Sequence, residues 1–318
     1  MSAASPARPA GPVHDGRSRV ELAKLRHELS HDGDDTTLDF LAALAPNEVR
    51  LLRERAAAAR FTRHEGRFAR LAGLTRLLPV ALCARAAEAV LGPLVSARTA
   101  SVMEPEDAVR LASRISPDFL ATLTTYLDPA RSAAIVRELP EPLLVAVGRR
   151  MLARGEHLAL GRFVGVVPTD ANLAVVHDAP GLALLEIALY AEEPDALDAV
   201  VGALPDDALR RILVDAVDEG RADDAVLLLG NVGLDARARV FELLPELAEG
   251  HQRALVRAVV RRGAWTEVLP VLSLITPAAL QHLVRVPEIA DPALLAALVP
   301  QDGDVPLTPA VPPPWPAS

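Results

Sequence analysis

From about residue 104 to residue 290, apolar positions recur at helical spacing rather than in alternation. Ile135 and Leu139 form an i, i+4 pair, and Leu143, Leu144, Val147 and Met151 form one stripe. Prolines cut the pattern into short segments. Ser116-Pro117, Asp128-Pro129, Thr276-Pro277 and Asp291-Pro292 each place a capping side chain before a residue whose φ is preset for a first helical turn. Glu104-Pro105, Glu193-Pro194 and Leu204-Pro205-Asp206-Asp207 are variants with acid in the first turn, facing the positive end of the helix dipole. The segments are therefore predicted to be helices of about 8 to 20 residues. Nearer the N-terminus, Ser18 and Glu21 fit a capping box, which predicts a helix from about residue 19 to Asp32-Gly33.

A longer spacing overlies these helices. Leu139-Pro140, Leu204-Pro205 and Leu244-Pro245 are followed by Gly155, Gly220 and Gly263, then by Pro168, Gly233 and Pro277. Each copy reads as a helix, a glycine that ends it in the left-handed region, a second helix and a turn. One such pair cannot bury its apolar face alone, so pairs must stack.

Composition agrees with an all-α chain. Of 318 residues 51% are hydrophobic and only 3% aromatic, and Ala, Leu and Arg favour helix where strands favour the missing aromatics. The expected fold is an all-α, solenoid-like array of short paired helices. Its parts are a disordered tail (1–17), an N-terminal helical segment (18–104), the array (105–300) and a disordered Pro-rich tail (301–318). PxxP spacings in that last tail bias it to polyproline II.

The formal net charge of −9 argues against a nucleic-acid binder that works by neutralising phosphates. Cys83 is the sole cysteine, so it forms no internal disulfide, and its apolar neighbours predict a buried small hydrophobe. The N-terminal residues contain no apolar signal core. The most apolar run, residues 79 to 97, is interrupted by Arg85, Glu88 and Gly92-Pro93 and reads as a broken core helix. A cytoplasmic protein is expected.

Residues 105 to 151, with Asp128-Pro129, Ala133-Ala134, Leu139-Pro140 and an amphipathic stretch to Met151, resemble the intracellular N-terminal domain of MgtE-type magnesium transporters. That domain is similar to the helical repeats of FliG-type flagellar switch proteins. The resemblance implies a right-handed superhelix of short helices and a regulatory or docking surface. Transport does not carry over, because no membrane bundle accompanies the motif.

Two features invite a chemical reading. His27-Glu28-Leu29-Ser30-His31 fits H-E-x-x-H, in which two histidines on one helix face bind zinc and the glutamate is the base of a hydrolase. On a helical wheel, however, Leu22, Leu25 and Leu29 share one side, and His27, His31, Lys24 and Val20 the other. The leucines are expected inside and both imidazoles in water. No third ligand presents itself, so no catalytic residue, metal or cofactor is expected.

The second feature is an acidic stretch. Glu192, Glu193, Asp195, Asp198, Asp206, Asp207, Asp215, Asp218, Glu219, Asp223 and Asp224 stand against only three arginines. Such a field steers a basic partner, and this stretch is the expected docking face for another protein. The expected function is a non-enzymatic scaffold or regulatory module. The alternatives are a hydrolase binding Zn at His27 and His31, a divalent-cation sensor holding Mg weakly on carboxylates, and a peripheral membrane protein attached through residues 79 to 97.

Overall fold

The computed structural model describes residues 16–29 and 35–289. His31, Asp291-Pro292, both PxxP motifs and nearly all of both expected tails lie outside the described residues. Gly16 and Arg17, placed in the tail by sequence, are instead helical.

No strand occurs among the described residues. The N-terminal part comprises α1 (Gly16–Leu29), α2 (Pro46–Thr75), α3 (Val80–Ala86) and α4 (Gly92–Ala100). The middle is α5 (Pro105–Ala112), α6 (Pro117–Thr124), α7 (Pro129–Glu138), α8 (Glu141–Ala153), α9 (His157–Phe163), α10 (Thr169–Val176) and α11 (Gly181–Tyr190). Then come α12 (Pro194–Ala203), α13 (Asp206–Asp218), α14 (Ala222–Leu229), α15 (Leu234–Leu243), α16 (Glu249–Arg262), α17 (Trp265–Val268) and α18 (Pro277–Val284).

The starts follow the capping logic. Ser116 Oγ, Asp128 Oδ1 and Thr276 Oγ1 accept from the backbone N–H of Phe119, Arg131 and Ala279, three residues on in each case. Gly155, Gly220 and Gly263 have φ of +72°, +68° and +61°, the left-handed region expected of them. Ser18 departs from expectation: α1 begins at Gly16, so Ser18 lies buried in its first turn. At 30 residues α2 exceeds the expected length, since no proline follows Pro46 until Pro79.

Helices pack on the helix two along. α4 lies on α6, α6 on α8, α8 on α10 and α10 on α12; a second row runs from α9 to α11 to α13. Polar cross-links follow the same rule. Sequence separations run from 25, where Arg149 donates to the Ala174 carbonyl, to 38, where Arg261 meets Asp223. Packing is continuous across residue 104, with α3 on α5 and α4 on α6, so no seam parts the N-terminal segment from the array. The aligned copies differ from the stacking in one respect. α8 stands in the row of α6 and α10, whereas α13 packs on α11, so the shared local motif serves opposite rows.

The rows meet at very close range where α11 begins. A Cβ on Gly181 would stand 2.2 Å from the Arg211 carbonyl oxygen of α13, so only glycine fits. A single apolar core runs from Val164 to Leu283. Toward the N-terminus it breaks into small separate clusters, one around Ala84, Ile115 and Leu120, another around Ala121, Met151 and Ala159.

Candidate functional site

α1 does not lie on the periphery. Leu22 and Leu25 pack with Leu41 and Val49, and Leu25 is wholly buried. The opposite side of α1 is covered too, because α1 also packs against α11 and α14 of the array. Lys24 is 3% exposed and Glu28 7%. The expectation of a wet polar face is therefore corrected. A helical wheel assumes one neighbour, and α1 is held between two.

Charges line the second interface. Glu28 faces Arg98 of α4 at 3.9 Å and Arg162 of α9 at 3.6 Å. Lys24 donates to Glu21 at 3.0 Å. Arg53, from α2, meets Glu192 at 2.9 Å, and Arg162 reaches the same carboxylate. At the far end Arg19 pairs with Asp224 of α14. Burial lowers the Lys24 ammonium below its usual range, and Glu21 opposes that shift.

His27 sits within this interface. A carbonyl only accepts, so Nε2 carries the proton it donates to Thr125 O at 3.0 Å. Burial, then the nearby Arg162 charge, hold the imidazole below its ordinary pKa. Of the H-E-x-x-H motif, His27 thus joins α1 to the turn after α6, and Glu28 answers two guanidiniums. Among the described residues no three His, Cys, Asp or Glu side chains gather as a metal site.

Most acids of the stretch are partnered. Asp206 pairs with Arg239, Asp207 with Arg210, Asp218 with His251 and Asp223 with Arg261. Asp198 accepts the Gly233 N–H at 2.8 Å and Asp215 the Leu182 N–H at 3.3 Å. Glu192 and Asp224 serve the α1 interface, and Asp224 also binds Arg221. Glu193, Asp195 and Glu219 are exposed. Most of the eleven acids therefore cross-link successive helices. Linear charge counting misses this because partners such as Arg239, Arg261, Arg53 and Arg19 are remote in sequence.

A second site was not legible in the motifs. Between the two small clusters of the N-terminal core lies a cavity of about 350 Å³, formed by α2 to α11. Its walls are aliphatic, with Cys83, Met103, Met151 and Phe163 among them, and no ionisable residue but Cys83 lines it. Cys83 is buried, as expected. At about 24 cal/mol per Å³, an unfilled void of that size costs at most on the order of 8 kcal/mol, comparable to the whole stability of a domain.

The few polar liners are nearly all satisfied locally. Thr99, Thr124 and Ser132 donate to carbonyls of their own helices, and Asn172 to two carbonyls of the preceding turn. Ser96 is the exception: it is 8% exposed and its Oγ has no partner. The mouth is apolar, with Leu74 and Leu78 about half exposed and Val90 79% exposed.

The helix expected to be a broken core helix explains the mouth. Its chain stays helical from Val80 to Ala100 but winds wider over Ala87–Leu91 and turns at Gly92, where φ is +72°. Only Cys83, Ala84, Ala87, Ser96, Ala97 and Thr99 are buried, and Leu82, Val90 and Leu94 face outward. It is therefore amphipathic. Among the described residues it is the one helix long and apolar enough to cross a membrane by length and composition, with 28% of that window buried. The sequence signal for the cavity was this surplus: residues 71 to 94 carry more leucine and valine than one buried stripe needs.

No family model, curated protein or solved structure matches the chain.

Proposed function

We propose that the protein is a non-enzymatic scaffold or regulatory module whose helical array receives a helix of a partner protein. The observation that carries this reading is the seating of α1. The array holds that helix through ion pairs from Arg98 on α4, Arg162 on α9 and Asp224 on α14, together with a hydrogen bond to Thr125. A receptor for one amphipathic helix is a receptor for others of like pattern, bound by apolar anchors at helical spacing with charges beside them. In this reading Glu192 and Asp224, both in the acidic stretch, are the carboxylates that select basic residues, and α1 is the resident occupant.

The test uses a fluorescent peptide of residues 16–29 and a full-length Arg19→Glu/Leu25→Ala variant, which loosens α1. The peptide should bind the variant saturably and more weakly as salt rises, while the wild type resists it. No binding to a variant whose helical circular dichroism is intact would remove the proposal.

A second reading rests on a different observation, the outward-facing Leu77, Leu82 and Val90 around α3. These would seat the protein on a lipid surface, which liposome flotation of wild type against Leu77→Asp/Leu82→Asp decides.

A further inference from the structure

We infer that the N-terminal cavity is a binding site for a neutral, single-chain aliphatic molecule. Two observations converge on this. The first is size. An engineered cavity of about 150 Å³ lined by Leu, Ile and Phe stays dry and takes benzene. This one, at about 350 Å³, is more than twice as large and suits roughly a dozen carbon atoms. It also falls in the range of small-molecule pockets.

The second is the chemistry of the wall. Aliphatic side chains form it and no Lys, Arg, His, Asp or Glu takes part. A charged group drawn inside would find no counter-charge, which excludes a buried carboxylate, phosphate or amine. The occupant is therefore neutral.

The exposed Leu74, Leu78 and Val90 make a greasy entrance for such a chain. A protein helix fits less well, since it is about 10 Å across with its side chains.

The experiment uses the full chain with phenylnaphthylamine as an apolar fluorescent probe, displaced in turn by dodecanol, dodecane and dodecanoate. Saturable probe binding is expected, with dodecane and dodecanol both competing and dodecanoate the poorest competitor. Ala100→Phe, which narrows the cavity, should weaken binding without lowering the melting temperature.

A measurement on the wild type makes the outcome independent of how the variants fold. Cys83 lines the cavity and is the only thiol, so its reaction with pyrene maleimide should slow when dodecanol is bound. Absence of saturable binding together with unprotected Cys83 overturns the site. Dodecanoate binding best overturns the neutrality of the ligand.

Discussion

The seating of α1 is most directly probed by Leu25→Ala. Leu25 is 0% exposed, and its cluster contains only Leu22, Leu41 and Val49 as further buried members. Truncating a fully buried leucine removes its transfer free energy and leaves a cavity, together about 2 to 5 kcal/mol. The cluster is small and its partly buried members Leu29, Leu38 and Leu44 can close part of the gap, which places the expected cost at about 3 kcal/mol.

The location of that cost is the informative part. Leu22 and Leu25 are the buried apolar anchors of α1, whereas the main core from Val164 to Leu283 does not include them. The loss should therefore appear as local undocking of α1 and not as loosening of the array. A change of about 3 kcal/mol in the opening free energy speeds exchange on the order of 100-fold. Hydrogen exchange read by mass spectrometry on residues 16–29, with α13 as the internal reference, measures it. Equal acceleration in α1 and α13, or none in α1, would refute the reasoning.

Acidification should act at the same interface. His27 has its pKa lowered in the fold, so below about pH 6.5 the undocked state binds more protons, and stability falls as pH drops from there through the folded value. Thermal melts across that window should show the slope, and His27→Gln should flatten it. Two glycine substitutions should separate two reasons for glycine. Gly220→Ala meets open space but φ of +68°, so about 1 to 2 kcal/mol is expected from backbone strain alone. Gly181→Ala drives a Cβ into the Arg211 backbone and should cost more than about 3 kcal/mol in denaturant titration. Thr276→Ala removes the cap on the Ala279 N–H and should lower stability by about 1 kcal/mol, and Thr276→Ser should retain it.

The sequence by itself determined the local grammar. A capping hydroxyl or carboxylate before proline, a glycine at the helix end and 3.6-residue apolar spacing are decided by neighbours a few residues apart. Ser116, Asp128, Thr276, Gly155, Gly220 and Gly263 accordingly do what their positions predict. Tertiary structure alone decided which side of each helix meets what. Lys24 and His27 read as solvated because a wheel describes one helix, and they are covered because α1 is packed on both sides. The acids from Glu192 to Asp224 read as one negative face because their arginines are remote in sequence, and stacking brings Arg239, Arg53 and Arg19 to them. The cavity beside Ser96 belongs to no residue's local preference. It arises where α2 to α11 fail to close around a common centre, and packing of that kind depends on every helix at once.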